Sequence, residues 1–218
     1  MKKNIVLFVL FILPIVAYLF FASGVNSFIT LPTITPNIPD VNQQWQSLDG
    51  KEVTLDKKIT ILGFPGQDIM TNSGNFFTLN QKIYNKYHEF KDFQMVFVAP
   101  DGTQEQAQKL LKELGKITKV SGYHFVFAKP EEIQNYFNEL KLLGKLDNRS
   151  GTSYVYIVDK KRNLRGRKGK SVQGEAEYKE GYNTTSASEL HNDMMDDVKI
   201  ILAEYRLALK RNNADRKI

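Results

Sequence analysis

"KKITILGFPGQDIMTNSGNFFTLNQKIY", residues 57–84, decides the fold. Lys58–Phe64 is a short apolar run of the kind found in strands buried on both faces, and Gly63-Phe64-Pro65-Gly66 marks a turn. From about Asn75 the period changes. Phe76, Leu79, Ile83 and Tyr87 recur at helical spacing, leaving Lys82, Lys86 and Glu89 for solvent. A strand-to-helix junction of this type is a common seat of chemistry in α/β proteins, so its residues are the first to weigh.

The same alternation continues downstream. "FQMVFVAP" (93–100) is a second buried strand, and "GTQEQAQKLLKELGKI" reads as a helix with Thr103 as N-cap and Gly115 as its stop. "YHFVFAK" (123–129) is a third strand. "PEEIQNYFNELKLLG" (130–144) opens as a helix should, with proline and two glutamates. "SYVYIVDKKRNLRGR" (153–167) reads as two strands around a polar turn. The last helix, 187–211, carries Leu190, Met194, Val198, Ile201, Leu202, Tyr205 and Leu209 on one face, and Ser186-x-x-Glu189 is a capping box. Upstream, Asp49-Gly50 within residues 45–55 predicts a β-hairpin. Strands alternating with helices imply a mainly parallel sheet covered on both faces. The order of elements is that of an α/β, thioredoxin-like domain: a central sheet flanked by helices, with an N-terminal hairpin and a C-terminal helix.

The N-terminus answers a different question. "IVLFVLFILPIVAYLFFAS" (5–23) has no charge and matches the roughly 20 residues needed to cross a bilayer core. It predicts a single transmembrane helix. A cleavable signal peptide is the rival reading, but its apolar region is usually about 7–15 residues long and ends in small residues, whereas this one ends Phe20-Phe21-Ala22-Ser23-Gly24. Lys2 and Lys3 place the short N-terminus in the cytoplasm, and so the rest on the outer, periplasmic face of a bacterial-type plasma membrane. Three prolines in "LPTITPNIPDV" (31–41) suggest an extended spacer. The expected organisation is an anchor (1–25), a linker (26–41), a thioredoxin-like domain (42–211) and a polar tail (212–218).

Composition narrows the chemistry. The chain has 218 residues, no cysteine and a formal charge of +6. Thiolate nucleophiles, disulfides, cysteine redox cycles and thiolate metal ligands are all excluded.

"QSLDGKEVTL", "ITILGF", "FQMVFVAPD", "YHFVFAKPEEI" and "YVYIVDKKRNLR" resemble, in order, successive blocks of the Sco/SenC family across residues 42–205. The resemblance implies a membrane-anchored thioredoxin-like protein associated with copper delivery to, and assembly of, cytochrome oxidase. It also implies C-x-x-x-C-P after the strand ending at Phe64 and a histidine before the late strand. Those ligands fall near Gln67, Thr71 and Gly151, and Asn72 takes the place of the proline. Amide and hydroxyl oxygens are poor substitutes for thiolates toward copper, so no metal, cofactor or catalytic residue is expected.

The remaining candidates are few. His88, His124 and His191 lie on separate predicted elements. His191 and Met194 stand three apart, but Met194 fits the apolar stripe. Ser150, Thr152 and Ser153 have no nearby histidine and no G-x-S-x-G elbow. "GFPG" lacks the lysine and Ser/Thr of a phosphate loop. The one extreme charge feature is "KKRNLRGRKGK" (160–170), comprising Lys160, Lys161, Arg162, Arg165, Arg167, Lys168 and Lys170. It reads either as a solvated turn or as a docking face for anionic lipid or an acidic partner. Nucleic acid is disfavoured by the expected location. Two functional classes stay open: a non-catalytic assembly protein that binds a respiratory assembly factor or oxidase subunit, and a cysteine-free peroxidase-like enzyme or hydrolase using polar residues of the 65–75 loop.

Overall fold

The structure, a computed structural model, describes residues 8, 10–16, 18, 30–171 and 174–214, with side chains in the last helix described to Arg206. The predicted membrane span lies mostly outside these residues. Those of it that are described, Phe8, 10–16 and Tyr18, are helical. No helix among the described residues is long and apolar enough to cross a membrane.

The elements in chain order are β1 (Thr33–Thr35), β2 (Gln46–Ser47), β3 (Ile59–Pro65), helix α1, β4 (Phe93–Pro100), α2 (Gln104–Leu114), β5 (Tyr123–Ala128), α3 (Pro130–Glu139), β6 (Gly151–Val158), β7 (Leu164–Arg165), β8 (Arg167–Lys170), β9 (Ala176–Lys179), β10 (Tyr182–Asn183) and helix α4. Helix α1 runs as Ser73–Leu79, a π turn Asn80–Tyr84, and Asn85–Tyr87. Helix α4 likewise runs as Ala187–Glu189, a π turn Leu190–Met194, and Met195–Ala214.

The main sheet has the order β1-β7-β6-β3-β4-β5-β2, with β10 also pairing β6. Strands β3, β4 and β5 are parallel, whereas β6 joins β3 antiparallel. Strict alternation sorts their side chains onto two cores. Ile59, Ile61, Met95, Phe97, Phe125 and Ile157 face α1, α2 and α4. Leu62, Phe64, Val96, Val126, Tyr156 and Val158 face α3 and the N-terminal segment. Each such side chain contributes about 1.5–3 kcal/mol by leaving water, which is why these strands read as continuous apolar runs.

Three expectations need correction. Residues 31–41 are not a spacer: β1 pairs β7, and Leu31, Thr35, Ile38 and Val41 are buried. The folded unit therefore begins by Leu31 instead of Asn42. The Asp49-Gly50 turn forms, with Gly50 at φ +70°, but its arms do not pair as a hairpin. Instead β2 adds to the edge strand β5, and the second arm is held by Asp40, which accepts from Leu55 N at 2.7 Å. Finally, Thr103 precedes α2 but its hydroxyl donates back to Pro100 O, leaving the cap unmade.

Helix ends elsewhere follow their sequence signals. Glu132 accepts from the Lys129 N–H at the start of α3. Ser186 Oγ accepts from Glu189 N at the start of α4, while Glu189 itself turns to Asn183 N and Lys179, so only half of the capping box forms.

Candidate functional site

The junction after β3 is a braced loop. Pro65 pairs with Gly151 at the start of β6, and Gly66 then takes φ +69°. Gln67 N donates to Arg149 O at 3.2 Å. Gln106 of α2 clamps the loop from the other side, donating to Gln67 O at 3.0 Å and accepting from Met70 N at 3.2 Å. Arg149 forms an ion pair with Asp68. Ile69 is fully buried beneath these polar braces, while Gln67 and Thr71 are exposed.

Gln67 and Gly151 thus share one corner, and the backbone there is closed. A Cβ on Gly151 would lie 3.1 Å from Gly66 Cα, and one on Gly66 would lie 2.9 Å from both Arg149 O and Gly151 Cα. Asp147 locks the approach: its Oδ1 accepts from Arg149 N and Gly151 N, each at 2.8 Å, and its own N–H donates to Gly151 O. Beside this contact lies a cavity of about 80 Å³ lined by Asn72, Asp147, Thr152 and Ser153 together with the rings of Phe76 and Phe97. That donor set is amide, hydroxyl and a single carboxylate already holding two N–H groups. It does not fit copper, which in a soft site requires thiolate or imidazole. Among the described residues, no group of three or more His, Asp or Glu is placed to hold a metal.

The histidines remain apart. His88 Nδ1 lies 3.1 Å from Asn85 O, His191 is exposed, and half-buried His124 sits on β5. Burial pushes the His124 imidazole below its ordinary 6.5, partly opposed by Asp49. Met194 is fully buried in the core.

The basic run is divided between interior and surface, which corrects its reading as one face. Arg165 is 7% exposed. It bonds Asp159 at 2.8 Å, Glu204 at 2.9 Å and Leu31 O at 2.8 Å through Nε. Arg167 reaches Asp197 at 2.8 Å and Glu177 at 3.1 Å. Lys160 pairs with Asp92, and Arg162 donates to Asn37 at 3.0 Å. Lys161, Lys168 and Lys170 are exposed. Asp159 is the hub of the turn: it also accepts from Lys161 N, Asn163 N and Asn163 Nδ2. Burial pushes its carboxyl up, but these hydrogen bonds and Arg165 outweigh that and hold it below 3.8. The extra acids, Glu204 and Asp197, come from a helix far along the chain, so no local signal exposed these pairs.

No protein-family model matches the chain, and no curated protein sequence is similar to it. Solved structures are. The chain is similar to BsSco, a member of the Sco family of cytochrome c oxidase assembly proteins, at 15% identity and TM-score 0.54, covering 78% of this chain and 95% of that one. It is similar also to a putative protein disulfide isomerase from Bacteroides thetaiotaomicron, at 15% identity and TM-score 0.52, covering 80% of this chain and 95% of that one. At such identity the likeness is one of fold, and the fold is thioredoxin-like.

Proposed function

We propose that this protein is a non-catalytic, Sco-like assembly factor that binds a partner in a respiratory oxidase complex without copper or thiol chemistry of its own. The apolar run at 5–23 tethers the thioredoxin-like domain to the outer face of the plasma membrane. One observation carries the reading: the corner that needs two thiolates and an imidazole is closed by backbone contact between Gly66 and Gly151, in a chain with no cysteine. Closure is supported by the Asp147, Gln106 and Arg149 braces, which preserve the shape of the corner without reactive groups. A scaffold of this kind acts through its surface, and Thr71 at the junction and Lys161 on the β6–β7 turn are its exposed landmarks.

A photo-crosslinking residue at Thr71 or Lys161 of the full chain in native membranes tests this. Recovery of an oxidase subunit or a respiratory assembly protein is expected. Recovery of a small-molecule substrate turnover activity, or of no protein from either position, overturns the proposal.

A further inference from the structure

The β8–β9 ribbon has two faces of different chemistry. Its register sets Lys168 opposite Tyr178 and Lys170 opposite Ala176, so these four share one face. All four are exposed. The other face carries Arg167, Glu177 and Lys179, of which Arg167 and Lys179 bolt the ribbon to α4: Arg167 bonds Asp197, and Lys179 bonds Glu189 at 3.3 Å as well as Asp193. Glu175, at the tip, falls on that second face by the same alternation. The exposed face therefore presents two cations and an aromatic ring on a rigidly mounted arm.

Apolar surface adjoins it. Tyr178 donates to Glu180 at 3.0 Å, and Glu180 also accepts from Leu143 N at 2.9 Å and Gly144 N at 2.7 Å. This fastens Leu143, 75% exposed, beside Tyr178 and the exposed Tyr154 in one open hollow that Lys145 also lines. Tyrosine rings, leucine and the long stems of lysine are the side chains that suit a bilayer interface, where one end is apolar and the other wet.

The chain path supplies the occupant. Gly166, the residue before β8, donates to Pro32 O at 3.0 Å, so the polypeptide enters the fold at the root of this ribbon. Only residues 24–31 separate Pro32 from the end of the apolar run, and eight residues span at most about 29 Å. We infer that the β8–β9 ribbon, with Lys168, Lys170 and Tyr178 and the adjoining Leu143, docks on anionic lipid headgroups and fixes the orientation of the tethered domain. The inference rests on the tether in the proposed function.

The absence of cysteine allows single nitroxide labels on the full chain at Ala176→Cys, Glu52→Cys or Ile12→Cys. These are reconstituted in vesicles of phosphatidylcholine alone or mixed with phosphatidylglycerol, with a lipid-borne relaxation agent. Ala176→Cys should approach the bilayer surface in the anionic vesicles, favouring the docked state about tenfold or more over neutral ones; Glu52→Cys should not. Lys168→Glu with Lys170→Glu should abolish the approach. If Ile12→Cys reports bilayer depth while Ala176→Cys stays in solvent, the docking inference fails and the tether stands. If Ile12→Cys reports no bilayer depth, both fall. Equal approach in neutral vesicles overturns the charge basis, and immobilisation of Ala176→Cys only in native membranes assigns the face to a protein instead.

Discussion

Two corners of this molecule contrast. Around Asp159 and Arg165, part of a run that reads in sequence as a solvated turn or a docking face is an interior ion network joining the β6–β7 turn to Leu31 and Glu204. At the Gly66–Gly151 corner, where the Sco/SenC resemblance leads one to expect ligands, the interior is backbone against backbone and the charges lie outside as braces. Charge density along a chain thus says little about where charge is used, since a distant helix decides whether an arginine is a surface or a core residue.

The largest expected effect comes from breaking the ion network. Arg165→Met leaves Asp159, 1% exposed, without its partner, and stability measured by urea unfolding should fall by about 3–5 kcal/mol, as for other buried pairs stripped of one member. A loss below 1 kcal/mol would make this an ordinary surface pair.

At the closed corner, Gly66→Ala must hold a Cβ at φ +69° against Arg149 O and Gly151 Cα; a loss of about 1–3 kcal/mol is expected. Gly74 in α1 has nothing within 4 Å of its Cβ position, so Gly74→Ala should instead stabilise by up to about 1 kcal/mol. Opposite signs for two glycines eight residues apart sharpen the claim that the first is held by contact.

The sequence made the alternation of strands and helices legible because β3, β4, β5 and the second half of β6 are largely buried on both faces, which prints as apolar runs. It did not reveal that residues 31–41 are folded. Prolines there suit an edge strand, as in β1 beside β7, as well as a spacer, and only the distant Leu164–Arg165 partner distinguishes them. The π turns in α1 and α4 were equally hidden. They pack against each other, and buried Asn80 in the first is satisfied by Thr118 and Tyr123 from remote segments. The sequence marks Gln67, Thr71 and Gly151 only through the resemblance, as positions where ligands would be expected, and the braces from Gln106 and Arg149 were hidden because they arise from side chains tens of residues away.

Acid should separate the two corners. Because the Asp159 carboxyl is held below 3.8 in the fold, the unfolded chain takes up the proton first. Its contribution is therefore complete above 3.8 and is lost as pH falls through the folded value. Unfolding midpoints should drop across that window, and Asp159→Asn, already weaker at neutral pH, should show a flatter profile. The smallest effect belongs to the exposed brace: Asp68→Ala or Arg149→Ala should cost only about 0.2–1 kcal/mol, and a thermal scan showing several times that would move this corner into the buried class.

A corner with shape but without soft ligands should not retain copper. Full-length protein incubated with Cu(I) or Cu(II) and passed through gel filtration in the presence of a competing chelator should emerge without stoichiometric metal. One tightly held copper per chain would contradict the account.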